Sequence, residues 1–314
     1  MTASELGPAV WGGEAGRTEV WYATFTDNAT GLGGWVHAET VAPAGGAPPY
    51  SHGWFALFDP QRGPVVERFG PGPVERDPAG AWFRLGAVEV GDGVLRGRTA
   101  TLAWDLAFAD TGPPLYTFPR LVWERHLLPG AQVVPWPSAT CTGRVEVGGS
   151  TRSVTGHLAM ARIFGHGSAQ RWGWLHAPLD DGGLLEVVTA TARRPGLRRL
   201  RPLAMVQLRL PGEPDWPANP ALASVRFRTE LHADGFAVSG QVRGRRIDVD
   251  VRLPADQRVA LVYTDPDGST ATCTNSERAE ATVTVDDGGA RRIWRLDGTA
   301  HAEVGVRPGR PDAR

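Results

Sequence analysis

Lysine is missing from this chain of 314 residues, and every basic side chain other than histidine is arginine. Schiff-base chemistry and a lysine general base are therefore excluded. Only two cysteines occur, Cys141 and Cys273, so no disulfide framework is available and two reduced, buried thiols are expected. An excess of positive or negative charge is also missing. With 33 basic and 34 acidic residues the net charge is −1, and nothing recommends nucleic acid as a partner. No apolar run is long enough to cross a membrane as a helix. The opening MTASELGPAVWGGEAG has neither a basic start nor an apolar core, so no signal peptide and a cytoplasmic location are expected.

What the chain has instead is glycine (40), proline (26) and tryptophan (12). Glycine and proline punctuate short apolar runs, the pattern of many strands joined by tight turns. Runs with alternating character include GGWVHAETV (33–41), GWFALFD (53–59), VLRGRTATLAWDL (94–106), TGRVEVGG (142–149), GLLEVVTATA (183–192), ASVRFRTEL (223–231), RIDVDVRL (246–253) and ATVTVDD (281–287). Turn signals such as TDNATG, LDDGG, HADGF and TDPDGS separate them. The stretch 193–210 comes nearest to a helix, but Pro195 and Pro202 interrupt it. An all-β barrel or sandwich follows. Proline clusters at 111–119 and 129–137 place a junction near residue 138, giving domains 1–138 and 139–314. EVWYATFTDNATGL and QRWGWLHAPLDDGGL echo one another, Trp21 and Gly31 matching Trp172 and Gly182 at the same spacing.

The strand EVWYATF (19–25) resembles the entry strand of the carotenoid 1,2-hydratase and AttH-like proteins, which share a double-lipocalin, calycin-type fold with tocopherol cyclase and fungal decalin-forming Diels–Alderases. GHLAMARIFG (156–165), the Trp-x-Trp strand QRWGWLH (170–176), LDDGGLLEV (179–187) and GTAHAEVGV (298–306) are similar to the second half of that family. The resemblance implies two consecutive calycin-like antiparallel barrels or half-barrels. Where the family pattern has Asp and Glu, this chain has Ala161 and Ile163. Acid-initiated hydration is therefore less expected, while Arg162 and His166 remain beside the gap as hydrogen-bond donors.

Three constellations carry candidate chemistry. In WVHAETV, Trp35, His37 and Glu39 share a strand face, where a His–Glu pair can hold or orient a proton; the competing reading is a solvated outer face. In YSHGWF, Tyr50, His52 and Trp54 share a face; an ordinary strand start reads equally well. In RWGWLH, Trp172, Trp174 and His176 share a face suited to a core or to a ligand cavity. FPRLVWERHLLPG (118–130), with Trp123 and Arg125 on one face and Glu124 and His126 on the other, reads as a structural stitch at the junction. Zinc is weighed for His37, Glu39, His52 and His176, but no ligand-spacing motif supports it. G-x-S-x-G and nucleotide fingerprints are also missing.

The preferred expectation is a cofactor-independent cyclase of a hydrophobic polyketide- or terpenoid-derived molecule, with an intramolecular [4+2] cycloaddition as one route. Trp54, Trp104, Trp172, Trp174, His37 and His52 would line the pocket. Glu39, Tyr50, Arg162, His166 and His176 would act as donors, base or orienting groups. The alternatives are a hydratase, dehydratase or proton-initiated cyclase of an isoprenoid, with Glu39 or Glu124 as the acid, and a carrier that binds a hydrophobic ligand unchanged. None of these calls for a metal or cofactor.

Overall fold

The computed structural model describes residues 1–75, 80–109, 112–125, 130–193 and 201–308. Nearly all of the regular structure is strand, arranged as two antiparallel, nearly closed barrel-like sheets. No helix among the described residues is long and apolar enough to cross a membrane.

After a short helix, α1 (Ala3–Leu6), the first sheet begins with a four-strand meander, β1 (Arg17–Asp27), β2 (Gly33–Ala42), β3 (Tyr50–Asp59) and β4 (Gly63–Pro73). It continues through β5 (Phe83–Leu85), β6 (Val88–Gly91), β7 (Val94–Arg98), β8 (Leu102–Ala109), β9 (Leu115–Tyr116), β10 (Gly130–Val147) and β11 (Ser150–Gly165). The last strand returns to the first: β11 pairs with β1 on one side and β10 on the other. The run VLRGRTATLAWDL, expected as one strand, is a hairpin, because Thr99 N–H donates to the Leu102 carbonyl and turns the chain.

The second sheet repeats this plan. Its strands are β12 (Arg171–Pro178), β13 (Leu184–Thr191), β14 (Leu203–Arg209), β15 (Phe227–Leu231), β16 (Gly235–Val242), β17 (Arg245–Arg252), β18 (Val259–Thr264), β19 (Thr270–Asp286) and β20 (Arg291–Val306). Again the last strand, β20, pairs with the first, β12. The echo between Trp21 and Trp172 thus falls on the opening strand of each sheet, and Gly31 and Gly182 both turn with positive φ after it. The tryptophans themselves are not equivalent. Trp21 points into the first barrel's core and Trp172 points away from the second's.

Compact units divide at Gly167/Ser168, with Asp265–Gly268 grouped with the first. The junction expected near residue 138 falls inside β10, whose pairing to both β8 and β11 binds it into the first sheet. The proline-rich stretches flank a short helix instead of a linker. FPRLVWERHLLPG, expected to alternate as a strand, holds α2 (Arg120–Glu124), where Arg120 Nε lies 2.6 Å from Glu124 Oε1 one turn later. Trp123 is buried there with Leu6, Val133 and Phe164. His126 and residues 194–200 lie outside the described residues.

Each barrel has its own core. Trp21, Phe25, Val36, Phe55, Leu106, Trp136, Leu158 and Met160 fill the first. Leu175, Val187, Val206, Phe227, Val249, Val283 and Leu296 fill the second. Strand β8 shows the burial of a one-sided sheet, its residues alternating buried and exposed or half-buried. Strands β1, β2 and β3 do not: nearly every residue is buried on both faces, and β2 is buried throughout. The inner residues of β12 and most of β13 follow the same two-sided pattern. These second buried faces, opposite the cores, carry most of the polar and aromatic residues singled out from the sequence.

Candidate functional site

On β2 and β3 of the first unit, alternation points Trp35, His37 and Glu39, with Tyr50, His52 and Trp54, away from the core. The cross-strand register sets His37 opposite Trp54 and Glu39 opposite His52. Both imidazoles converge on one carboxylate oxygen: His37 Nε2 lies 3.3 Å and His52 Nε2 3.4 Å from Glu39 Oε2. The Thr18 hydroxyl donates to the other oxygen, Oε1. Trp35 and Trp54 stack at 6.5 Å with 14° between their planes, and the His52 ring meets Trp54 edge-on at 5.0 Å. The Trp35 indole N–H is buried without an acceptor.

The solvated-face reading is excluded, since His37, Glu39 and His52 are 5%, 7% and 2% exposed. Burial pushes the Glu39 carboxyl upward, but the His37 hydrogen bond, the neighbouring imidazoles and the Thr18 hydroxyl outweigh it and hold the group below its usual range. Burial also drives His52 down to about 4 against the attraction of Glu39, so His52 is neutral at neutral pH. Tyr50 is raised, first by burial and then by the Glu39 carboxylate. An ionised carboxylate beside a neutral imidazole can orient a substrate or accept a proton. It has no proton of its own to give.

The second unit builds a comparable face from Trp172, Trp174 and His176 on β12, Glu186 on β13, His301 and Glu303 on β20, and Cys273 and Glu277 on β19. Trp174 Nε1 donates to Glu186 Oε1 at 2.6 Å, and His176 Nδ1 lies 2.9 Å from the other oxygen. Trp172 Nε1 donates to Glu303 Oε1 at 2.7 Å. Its indole lies across Gly305, where a Cβ would come within about 2 Å of the ring, so only glycine leaves it room. His176 is the register partner of His301, and His301 Nδ1 stands 2.7 Å from Glu277 Oε2.

Glu277 and His301 are both fully enclosed. Burial raises the Glu277 carboxyl well above its usual range, the Asn275 hydrogen bond opposes this, and the Glu303 charge adds to it. His301 falls to about 3, burial overcoming the attraction of Glu186. This face therefore holds a carboxyl that burial pushes toward its protonated form, among indoles and the neutral His301 imidazole.

The remaining candidates lie elsewhere. Arg162 points to the inner face of β11. There its guanidinium donates to the carbonyls of Leu6, Gly7 and Pro8 and to Glu19, and covers the Trp21 ring at 4.4 Å. His166 is exposed, with Nδ1 2.7 Å from the Gly16 carbonyl oxygen. Trp104, expected to line a pocket, instead stacks on Phe55 at 4.2 Å within the first core, because it shares the inward face of β8 with Leu106 and Phe108. Glu124 is paired with Arg120. Ala161 and Ile163 stand opposite Tyr22 and Val20, on the Glu39 face, and Val20 in turn pairs with Glu39. Among the described residues no three His, Cys, Asp or Glu side chains are arranged to hold a metal ion.

Sequence reasoning missed Glu186, Glu277, His301 and Glu303. Three of them carried a usable signal: Glu186 interrupts an apolar strand, while His301 and Glu303 alternate within AHAEV.

A family model described as tocopherol cyclase-like matches residues 83–306. The uncharacterized proteins MT0513 and Rv0493c of two Mycobacterium tuberculosis strains (CDC 1551 / Oshkosh and H37Rv) are each 50% identical over 298 residues, covering 95% of this chain and 88% of theirs. The fold is shared with the AttH-like protein NE1406 of Nitrosomonas europaea (TM-score 0.62, 16% identity, 95% of this chain and 98% of that one). It is shared with kievitone hydratase of Nectria haematococca (TM-score 0.63, 11% identity, 98% and 95%). CghA bound to Sch210972 is a further match (TM-score 0.63, 13% identity, 93% and 88%).

Proposed function

Because the chain belongs to the tocopherol cyclase-like family, we propose that it is a cofactor-independent cyclase that closes a ring on a hydrophobic, unsaturated small molecule after protonating it. One observation carries the reading: Glu277, a fully buried carboxyl 2.7 Å from His301 and pushed by burial toward its protonated form, shares a sheet face with Trp172 and Trp174. This is the acid that the isoprenoid reading demanded from Glu39 or Glu124, neither of which serves, the one being ionised and the other paired at the surface.

In the proposed step the Glu277 proton passes to one carbon of an alkene. The π pair becomes the new C–H bond, and the other carbon is left cationic. An internal hydroxyl or second alkene attacks that carbon to close the ring, and a proton lost from the attacking group restores the acid. Indole faces stabilise the cation through their quadrupole, worth about 2 kcal/mol or more where water is excluded. Holding the chain in a near-attack shape supplies more, up to about 7–11 kcal/mol in favourable cases. Glu186 fixes both His176 and Trp174, keeping this wall in one geometry.

A second reading, ring closure by [4+2] cycloaddition, is favoured by a different observation on the first unit. The buried Trp35 N–H has no acceptor and lies in a stack with Trp54, beside neutral His52. A donor of that kind polarises a conjugated carbonyl without transferring a proton.

Deuterium separates the two. Linear polyenes and prenylated alcohols are incubated with the protein in D2O, and cyclic isomers of the substrate, with or without incorporated deuterium, are examined by mass spectrometry and NMR. Proton-initiated closure leaves one non-exchangeable deuterium on carbon and is abolished in Glu277→Gln. Ring closure without deuterium, retained in Glu277→Gln, favours cycloaddition. Ligand recovered intact after tight binding favours a carrier.

A further inference from the structure

We propose that the open end of the first barrel is a second binding site, for a small single-ring aromatic molecule bearing one hydroxyl or carbonyl oxygen. The inner faces of β1, β2 and β3 leave a cavity of about 190 Å³ there, closed over by the N-terminal segment and by residues around β5. Strand alternation separates it from the face described above. Thr40 and Ser51 line the cavity, whereas their neighbours Glu39 and His52 point to the opposite side of the sheet.

The walls select the ligand. Trp11, Trp21, Trp82 and Phe83 surround the space, and aromatic rings favour a flat, aromatic guest through stacked and edge-to-face contacts. An apolar cavity of about 150 Å³ already accepts benzene, so this one has room for a ring and a substituent. Its charges are committed elsewhere. The Glu19 carboxylate accepts from Arg162 and from the backbone N–H of Val10 and Trp11. Arg84 is paired with Glu89 at 2.7 Å, and Glu75 accepts from the Gly86 N–H. Those pairings disfavour an ionic ligand, because an extra buried charge would find no counter-ion.

One polar valence is left over. Thr40 Oγ1 and Ser51 Oγ lie 3.1 Å apart and share one hydrogen bond, and both residues are more than nine-tenths buried. Two hydroxyls hold two hydrogens, so one hydrogen and the unused lone pairs remain for a guest. A phenolic oxygen or a ring carbonyl satisfies them; an alkylbenzene does not.

The test is calorimetric titration of the full chain with p-cresol, with toluene as the comparator. The expected result is saturable one-to-one binding of p-cresol, with toluene weaker by about two- to tenfold, the ratio of one net hydrogen bond. Ser51→Ala is expected to remove that ratio, and Ser51→Leu to fill the cavity and abolish binding of both. Ala81→Leu, placed on the half-buried rim, is a second filling variant whose fold is checked by circular dichroism. The proposal is overturned by the absence of saturable p-cresol binding or by equal affinity for the two probes. Binding that survives in folded Ser51→Leu or Ala81→Leu protein overturns it too.

Discussion

Replacing Arg162 by methionine tests the most heavily buried charge in the first unit. Arg162 is fully enclosed and Glu19 is 1% exposed. Burial lowers the Arg162 pKa to about 10 against the pull of Glu19, so the guanidinium is charged at neutral pH. The substitution strips donors from the carbonyls of Leu6, Gly7 and Pro8 and leaves the Glu19 carboxylate with two backbone N–H groups as partners. Removing one member of a buried ion pair costs about 3–5 kcal/mol, because the survivor keeps its desolvation penalty without its counter-charge. The lost contact with the Trp21 face adds to this, by up to about 2 kcal/mol in a dry site. The N-terminal segment then keeps the bond from Trp21 Nε1 to the Gly7 carbonyl, the Ser4 hydroxyl bond to Asp92, the Glu19 contacts and the packing of Ala3 and Leu6, a weaker attachment from which it is expected to loosen. Urea unfolding followed by tryptophan fluorescence reads the stability, and limited proteolysis mapped by mass spectrometry reads the release of residues 2–12. Adding Glu19→Gln to Arg162→Met is expected to recover part of the loss, since a neutral amide in place of the carboxylate removes the stranded charge. A loss below about 1 kcal/mol with the segment still protected would refute this account. A double variant no better than the single one would show that lost contacts matter and charge does not.

Three further outcomes follow from the second buried faces. His52 (about 4) and His301 (about 3) are neutral when folded but take a proton near pH 6.5 when unfolded. The unfolded state therefore binds more protons below pH 6.5, and stability falls as pH drops toward 4 and then 3, by up to about 3 kcal/mol for His52. His52→Asn should flatten the slope of the urea midpoint between pH 6.5 and 4; an unchanged slope contradicts the assignment. Glu277 acts in the opposite sense, its raised pKa making the folded state lose stability as pH rises above 4.5. Glu277→Gln is thus more stabilising at about pH 8 than at about pH 5, as read by the same unfolding curves. Gly305→Ala drives a methyl into the Trp172 indole, breaking its bond to Glu303 at a cost of about 1–3 kcal/mol, visible in thermal unfolding and near-ultraviolet circular dichroism.

Strand alternation, turn residues and the matched opening strands made the all-β plan and its doubling legible, because these signals are local. The boundary was not, since the proline-rich stretches that suggested residue 138 flank α2 and lead into β10, and only long-range pairing shows that β10 and β11 close the first sheet. Shared faces were legible too: the groupings of His37 with Glu39, of Tyr50 with His52 and Trp54, and of Trp172 with Trp174 and His176 follow from a period of two, and the register preserves each of them. What alternation cannot say is which of two buried faces a residue enters. Arg162 lies one position from Ala161 and Ile163, and that single step sends it to the barrel end instead of the Glu39 face. Ionisation state is harder still. Glu39 and Glu277 are both buried carboxyls near histidine, yet the first receives the Thr18 hydroxyl and a His37 hydrogen bond and the second meets another carboxylate's charge. The sequence spells the two alike; the neighbours brought by β1 and β20 decide that the effect of burial is overcome at Glu39 and reinforced at Glu277.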